Sequence, residues 1–352
     1  MVRRRCGRRP VLDVRTDGTI DLVAQIEQST RQRTVAWPYR DERDWWRIRT
    51  LLVDTHPRVA AAWNWDIRRW DGHRFHREEP CSDEEMAATI GLWETPDGRL
   101  VAAVHPESSG DAFLELDPGF RFLEPAMVGW AEEHLAGGPD EHGRRRLELW
   151  VLDDDTARIR LLQELGYEQE ASGAWLRWLR FESTDVSGVS GAPGPMLVSD
   201  ASGVPSVPEP YLVRTTDSTD RDCARMADLL NLAFGRTVHT AREYRTFSDR
   251  SPSFEHALNL VAVGPGGSFA AHVGVTFDAL NRHGIVEPVC THPERRRAGL
   301  ARVLLFEGLR RLQARGALTA QVDTGERVPA NALYAACGFT EAHHMHGWSR
   351  EF

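Results

Sequence analysis

Residues 292–301 of this 352-residue chain read HPERRRAGLA. Three consecutive arginines are followed by small residues at positions 298, 299 and 301, which leave room for a ligand to approach the backbone. A helix is predicted to begin here, and the unpaired N–H groups and positive dipole at a helix start attract anions. The segment therefore suits a pyrophosphate, and the alternative is a basic loop that only caps a helix.

A strand and a helix must position this loop. Gly284–Cys290 is predicted to be the strand before it. Arg302–Arg315 carries apolar residues on one face and is followed by Gly316, which is typical of an amphipathic helix and its end. Flanking patterns predict strands at Tyr211–Thr215, Leu258–Val263, Ser268–Phe277 and Ala317–Asp323, helices at Cys223–Phe234 and Ala330–Ala336, and a final strand. This order is α+β, with a strand–loop–helix–strand unit at its centre.

The loop resembles the acetyl-CoA-binding motif of the GNAT acyltransferase superfamily. The family pattern, Arg/Gln-x-x-Gly-x-Gly/Ala, is met by Arg296, Gly299 and Ala301. About 38 residues further on, residues 331–339 read NALYAACGF and look like the second family motif, in which Leu-Tyr precedes Gly-Phe. The two motifs occur in order, with a strand and a helix between them, and the resemblance covers roughly Tyr211–Phe352.

The resemblance implies an acetyl-CoA cosubstrate, no metal, and direct attack of an amine on the thioester. Glu287, on the strand before the loop, stands where many members carry the general base, and Tyr334 stands at the position of the general acid. A salt-bridged structural carboxylate is the alternative for Glu287. Strict alternation along the strand places Glu287 on the face of Val289 and opposite Val286 and Pro288. The implied cosubstrate-binding residues are Val289, Cys290, Thr291, Arg296, Arg297, Ala298, Gly299, Leu300, Ala301 and Asn331.

The first half of the chain repeats this plan without its chemical residues. Pro118 and Pro293 are 175 residues apart, and Gly166 and Gly338 are 172 apart, so the internal spacing is kept. A carboxylate in a pyrophosphate cradle repels the ligand, and a proline removes a donor. The first half is therefore predicted to be a degenerate GNAT domain that does not bind CoA. The matched positions are Ala112 for Glu287, Arg121 for Arg296, Glu124 (followed by Pro125) for Gly299, and Leu162 for Tyr334.

The expected fold class is α+β, with two GNAT-like domains, each a mixed, mostly antiparallel twisted sheet flanked by helices. A stretch rich in Gly, Pro and Ser, residues 183–210, is predicted to be a flexible linker. It separates a degenerate domain at 33–182 from a catalytic domain at 211–352. Residues 1–32 are predicted to form an N-terminal extension with an arginine-rich start and a helix at Ile20–Gln32.

The amino-acid composition excludes several classes of function. All 43 basic residues are arginine, which excludes a Schiff-base lysine and a lysine-bearing phosphate loop. Five scattered cysteines without a Cys-x-x-Cys spacing indicate reduced thiols and a cytoplasmic protein. A net charge of −9 argues against a nucleic-acid partner and favours a cationic substrate. No apolar run is long enough to predict a membrane segment, and a monomer or homodimer is expected.

Two further groups of residues stand out. Eleven of the 12 tryptophans precede residue 180, which predicts a tryptophan-rich core, or an aromatic wall that forms part of the acceptor pocket. His343, His344 and His346 cluster near the C-terminus, where a weak metal site is the less favoured interpretation and edge, core or pocket histidines the favoured one.

The sequence thus predicts an acyl-CoA-dependent N-acyltransferase that moves an acetyl group to the amine of a small molecule. An antibiotic-modifying enzyme is a special case of this hypothesis. The alternative from another class is a non-catalytic acyl-CoA-binding or sensor module, which a retained Glu287 and Tyr334 disfavour.

Overall fold

The structure is a computed structural model that describes residues 34–59, 63–181, 205–326 and 328–352. The N-terminal extension at 1–32 and its expected helix lie outside these residues, as does most of the expected linker. The described end of that linker, residues 205–210, contains neither helix nor strand.

Each half contributes six strands to one sheet. In the first half these are β1 (Val35–Pro38), β2 (Gly91–Glu94), β3 (Leu100–His105), β4 (Asp111–Leu116), β5 (Arg146–Leu152) and β6 (Glu168–Arg180). Its helices are α1 (Glu42–Thr55), α2 (Ile67–Phe75), α3 (Asp83–Thr89), α4 (Glu124–His134) and α5 (Thr156–Glu164).

The second half follows a similar order of elements, with two helices between its first two strands where the first half has three. Its strands are β7 (Leu212–Thr215), β8 (Asn259–Val263), β9 (Phe269–Asp278), β10 (His283–Thr291), β11 (Thr319–Gly325) and β12 (Glu341–Glu351). Its helices are α6 (Asp220–Phe234), α7 (Ala241–Arg250), α8 (Leu300–Ala314) and α9 (Val328–Ala336). The α+β class and the strand–loop–helix–strand unit are therefore confirmed.

The two halves exchange their last strands. The sheet order is β1-β2-β3-β4-β5-β12-β6-β11-β10-β9-β8-β7, which is symmetric about the central β12–β6 pair. Strand β12 pairs with β5 of the first half, and β6 pairs with β11 of the second half, all antiparallel. Each half therefore completes the sheet of the other, and the expected two separate sheets are joined into one.

Local sequence explains where the helices that frame the site begin and end. The Thr219 side chain accepts a hydrogen bond from the Asp222 N–H at the start of α6, and Gly235 ends that helix in the left-handed conformation. Helix α7 was not expected from its weak apolar pattern. Its signal was a capping box, in which Thr240 and Glu243 exchange side-chain and backbone hydrogen bonds.

Separate apolar clusters cover the two faces of each half-sheet. In the second half, α8 and α9 pack on one face through Leu304, Leu309, Tyr334 and Phe339, and α6 packs on the other face. In the first half, Trp45 and Trp70 are fully buried beneath β2 and β3. Trp63, Trp65 and Trp93 are also buried, so five of the eleven tryptophans before residue 180 belong to the core. Within the described residues, no helix is both long and apolar enough to cross a membrane.

Candidate active site

Strands β10 and β11 run side by side for only three residues before they separate. They pair in parallel from His283 opposite Thr319 to Ile285 opposite Gln321. Strand β10 continues to Thr291 while still paired with β9 on its other side. Strand β11 stays paired with β6 as far as Gly325, so the edge of β10 from Glu287 onward faces an opening between β10 and β11.

A β-bulge in β10 changes the side-chain alternation predicted from sequence. The register with β9 shifts between Val286 and Val289, and both valines pack against the same core beneath α8. The expectation that Glu287 shares a face with Val289 is therefore wrong. An extra residue in the strand reverses the alternation beyond it, so Glu287 remains opposite Val286 and is exposed to solvent.

The loop after β10 presents an open cradle. Arg297 and Gly299 have φ angles of 68° and 79°, and α8 begins at Leu300 with no side chain capping its first N–H groups. A Cβ atom built on Gly299 would meet nothing within 4 Å. The first turn of α8 thus offers free donors and the positive end of a helix dipole to an anion.

The other loop residues differ in what they can contribute. Arg296 donates a hydrogen bond to the Ala233 carbonyl at 3.0 Å and so ties the loop to the end of α6. Arg297 and Ala298 are exposed, and Ala301 is half-buried. Leu300 is buried in the core, so only its backbone is available to a ligand.

The strand residues expected to bind the cosubstrate lie beside the opening. Val289 and Thr291 are half-buried. Cys290 packs against the α6 side of the sheet, where burial raises the pKa of its thiol to about 12. A thiol held this firmly protonated is a poor nucleophile, which fits an acyl transfer without an acyl-enzyme.

Asn331 is already engaged by the protein. Its side-chain oxygen accepts a hydrogen bond from Arg177 of β6 at 2.7 Å, and its amide nitrogen donates to the Gly325 carbonyl at 3.0 Å. These contacts fix the start of α9 against β6 and the end of β11. The expected role of Asn331 in cosubstrate binding stays a prediction.

Tyr334 is 5% exposed and packs edge-to-face against Phe339. Burial raises the pKa of its phenol, and the nearby carboxylate of Asp323 raises it further. Among the described residues its hydroxyl has no hydrogen-bond partner. The phenol is therefore protonated at neutral pH, and it lies within range of the charge of Asp323.

Three carboxylates from three elements meet at the opening. Glu287 of β10 and Asp323 of β11 lie two residues beyond the last paired residues, Ile285 and Gln321, and so extend from matching positions. The protein atoms around Asp323 desolvate its carboxylate and, together with the charge of Glu287, raise its pKa to about 6. Part of the residue is nevertheless exposed to solvent. The same two causes raise the pKa of Asp66 to about 6.

Asp66 comes from the first half of the chain. It caps α2 by accepting a hydrogen bond from the Arg69 N–H at 2.9 Å, and it accepts a second from the Gln321 side chain at 2.8 Å. The Gln321 oxygen is in turn 3.0 Å from Nε2 of the buried His283. Burial lowers the pKa of His283 to about 3, so this imidazole is neutral and donates to the glutamine.

Sequence reasoning missed Asp66, Asp323 and Arg69. Asp323 had a usable signal, because a parallel pairing of the two strands places it level with Glu287. Asp66 had none, because it reaches the second half only through the way the halves pack.

The matching cradle of the first half is filled by the protein's own side chains. Glu124, at the position of Gly299, is buried and accepts hydrogen bonds from Arg121 at 3.0 Å and from Arg158 at 3.2 Å. Arg121 also binds Asp155 at 2.7 Å, and Trp63 donates to the same carboxylate at 2.6 Å. An internal carboxylate thus lies on the helix start where an external anion would bind.

The strand edge of the first half is also occupied. The side-chain amide of Asn64 donates to the Leu116 carbonyl and accepts from the Leu116 N–H, both at 3.0 Å. By the proline spacing, Leu116 is the counterpart of Thr291. The backbone groups that are open in the second half are therefore satisfied internally in the first.

The C-terminal histidines lie on β12 next to the first half. His344 and His346 each contact the Asp153 carboxylate through Nδ1, at 3.0 and 2.7 Å. Their ligand atoms and that of Asp153 lie within 4.8 Å of one another, as a metal site requires. His343 instead contacts Glu341 at 3.2 Å.

A groove of about 420 Å³ lies beside the loop, between α6 and the start of β9. Arg225, Phe269 and His292 are among its lining residues, and Glu287 and Tyr334 are not. The groove therefore borders the loop and not the carboxylates.

Comparisons with known proteins agree with this geometry. Residues 223–339 match the model of the acetyltransferase (GNAT) family. The fold is similar to that of a GCN5-related N-acetyltransferase from Sphaerobacter thermophilus, with a TM-score of 0.57 and 20% identity over 91% of this chain and 96% of that chain. It is also similar to a tandem GNAT protein from the clavulanic acid biosynthesis pathway, with a TM-score of 0.60 and 20% identity over 90% of this chain and 98% of that one. No curated protein sequence matches the chain.

Proposed function

We propose that the chain, whose residues 223–339 match the model of the acetyltransferase (GNAT) family, is an acyltransferase that moves an acetyl group from acetyl-CoA to the amine of a small molecule. We place a single active site in the second half, with Glu287 as general base and Tyr334 as general acid. The first half takes no part in binding acetyl-CoA.

The observation that carries this proposal is the contrast between the two cradles. Neither helix start has a side-chain cap, but the space at Gly299 is open, whereas the same position in the first half holds the buried carboxylate of Glu124 with two arginine partners. Only the open, uncharged arrangement leaves room for a pyrophosphate at the helix start. The open edge of β10 beside it leaves backbone groups for an extended, amide-bearing chain.

In this mechanism acetyl-CoA supplies the activated acyl thioester. Glu287 removes a proton from the acceptor ammonium, either directly or through a water. The amine nitrogen then bonds to the acyl carbon as the carbon–sulfur bond breaks, and the nitrogen loses its second proton as the amide forms. Tyr334 donates a hydrogen bond to the departing sulfur, and the proton released from the nitrogen converts the thiolate to the thiol, so the phenol ends the reaction protonated.

The raised pKa of Tyr334 determines what kind of acid it is. An ordinary phenol has a pKa of about 10 and a thiol of about 8.5, so complete transfer of the proton to a free thiolate is uphill. The hydrogen bond to sulfur while the bond is breaking is therefore its main contribution. Its raised pKa keeps that hydrogen in place across the neutral range.

The remaining sequence expectations stay predictions. Cys81, Cys223, Cys290 and Cys337 are buried free thiols, which fits the reducing, cytoplasmic location expected for the protein. The acetyl group, a small-molecule acceptor without nucleic-acid or membrane partners, a metal-free site and a monomer or homodimer belong to the same proposal.

The test combines binding and turnover on the full chain. Calorimetric titration with acetyl-CoA is expected to show one site, and acceptor amines are expected to increase the release of free CoA thiol. Binding without thiol release across a broad amine panel would favour the sensor hypothesis instead. Two equivalent binding sites would contradict the assignment of the first half.

A further inference from the structure

We infer that the acceptor carries a second cationic group besides the amine that is acylated, and that Asp66 and Asp323 bind this second group. The inference rests on the proposed function, because it concerns the acceptor side of the same site. It makes Asp66 a specificity residue that the first half supplies to the active site of the second.

The first step concerns unpaired charge. Among the described residues, no arginine or histidine forms a salt bridge with Asp66, Glu287 or Asp323. Arg69 is the nearby cation, and its guanidinium already binds Glu107, with Nε 2.9 Å from the carboxylate. The charge of Arg69 also acts to lower the pKa of Asp66 and of Asp323, but its side chain hydrogen-bonds to neither, so one cation serves Glu107, Asp66, Glu287 and Asp323 together.

The other basic side chains near this cluster, Arg68, His76 and His283, either have partners of their own or are uncharged. The guanidinium of Arg68 lies 4.2 Å from the ring centre of Phe247 and contacts His76 at 3.2 Å. Burial lowers the pKa of both His76 and His283, so both imidazoles are neutral near pH 7. The three carboxylates therefore face one another with no internal counter-charge in hydrogen-bond contact.

The second step is the position of this cluster beside the reacting groups. Tyr334 is nine-tenths buried, and its unpartnered hydroxyl lies next to Asp323. Glu287 stands level with Asp323 across the separated strands, and the Gln321 bridge fixes Asp66 to β11. An unpartnered hydroxyl and three carboxylates without a salt bridge are thus close enough to influence one another's ionisation at the opening beside β10.

The third step compares an acceptor that carries one cationic group with an acceptor that carries two. The nucleophilic ammonium gives its proton to Glu287 and becomes neutral before it attacks. A monoamine would then leave Asp66 and Asp323 without a counter-charge during the reaction. A second ammonium or guanidinium on the acceptor stays charged throughout and neutralises them.

The experiment uses the full chain and acetyl-CoA with matched four-carbon amines: 1-aminobutane, 4-aminobutan-1-ol, 4-aminobutanoate and 1,4-diaminobutane, together with longer α,ω-diamines. We expect kcat/KM from thiol release to be at least about 10-fold higher for the best diamine than for 1-aminobutane, and lowest for 4-aminobutanoate. A site with equal rates for charged and neutral tails, or with a preference for the carboxylate tail, would overturn the inference.

Two variants locate the effect. Asp66→Asn and Asp323→Asn are each expected to raise KM for the diamine about 10-fold, with a much smaller change for 1-aminobutane. Asn retains the capping ability of Asp at the start of α2, so Asp66→Asn preserves the fold. Glu341→Gln, an exposed carboxylate paired with Arg180 on the central strands, is the control and should change neither value.

Binding separates this inference from the proposed function. If no amine is acetylated, the proposed catalysis fails, and calorimetric titration of the diamine into the CoA-loaded protein still tests the cleft. Diamine binding that weakens in Asp66→Asn and Asp323→Asn would support a dication site. Absence of diamine binding, or binding unaffected by both variants, would refute it.

Discussion

The two halves of this chain differ in how the polar groups around the matching loop and helix start are satisfied. In the first half the carboxylates around the cradle, Glu124 and Asp155, are bound by Arg121, Arg158 and Trp63. Pairing and hydrogen bonding offset part of the cost of removing these charges from water. The charged groups around this cradle therefore have their partners within the protein.

In the second half the space at Gly299 is open, and among the described residues Glu287 and Asp323 form no salt bridge. Such unsatisfied groups cost stability and persist at sites that bind or transform ligands. The two halves thus share a fold but differ in whether the polar groups at the matching positions have partners inside the protein. Removing a charge should therefore have opposite consequences in the two halves.

The largest effect is expected from copying the defect of the first half into the second. Gly299→Glu places a carboxylate where the pyrophosphate would bind, and a unit charge at about 4 Å near a protein surface repels by about 4 kcal/mol. We therefore expect roughly a 10³-fold loss of acetyl-CoA affinity by calorimetry. Gly299→Ala, which adds backbone strain without charge, is the control and should lose much less. Equal losses would assign the effect to backbone strain.

The next effect concerns the ion cluster of the first half. Glu124→Gln leaves the buried Arg158 short of a counter-charge, so we expect a loss of about 3 kcal/mol in the free energy of unfolding. Urea denaturation measures it. Glu133→Gln, on the exposed side of the same helix, should change stability by less than about 0.5 kcal/mol. An unchanged midpoint for Glu124→Gln would mean that the cluster does not stabilise the first half.

The catalytic assignment of Tyr334 predicts a purely kinetic defect. Tyr334→Phe keeps the packing against Phe339 and removes the hydrogen donated to sulfur. Turnover should fall by roughly 10²-fold, the low end of general-acid effects, with acetyl-CoA affinity nearly unchanged. A fall in affinity without a fall in kcat would show that the tyrosine packs the site and does not act as an acid.

The role of Glu287 is tested by the pH dependence of the rate. A general base must be ionised to take the proton, so activity falls as the pH drops through its titration. Glu287→Gln is expected to lower kcat/KM and to flatten this acidic limb. Survival of the limb in the variant would leave Glu287 a structural carboxylate and assign the proton to another group or to bulk water.

The smallest effect tests the cost of leaving Asp323 unpaired. Its pKa is raised from 3.8 to about 6 by burial and by Glu287, with Glu107 acting in the same sense and Arg69 and the Thr324 N–H opposing. The folded state therefore holds this proton more tightly than the unfolded chain, and stability falls as the pH rises from about 4 to about 6. Asp323→Asn should raise the melting temperature at pH 7.5 and leave it unchanged at pH 4, an effect below about 1 kcal/mol because the group reaches solvent. A lower melting temperature at pH 7.5 would mean that Asp323 is internally paired.

Local pattern was enough to predict the elements of the second half to within a few residues. The helix expected at Arg302–Arg315 is observed at Leu300–Ala314, and the strand expected at Gly284–Cys290 is observed at His283–Thr291. Apolar periodicity and glycine stops are properties of neighbouring residues, so they can be read along the chain. The bulge at Val286–Val289 could not, because it depends on how β10 pairs with β9.

Sequence by itself also predicted which half retains the chemistry, since Gly299 against Glu124 and Tyr334 against Leu162 are differences of residue type at matched spacing. Only the tertiary structure decided that β6 and β12 change places and that Asp66 contacts Gln321 of β11, within reach of the charge of Glu287. The physical reason is that strand exchange and packing between halves depend on contacts between residues far apart in the chain. Burial and charge at such contacts set the pKa values of Asp66 and Asp323, and neither residue type nor spacing specifies them.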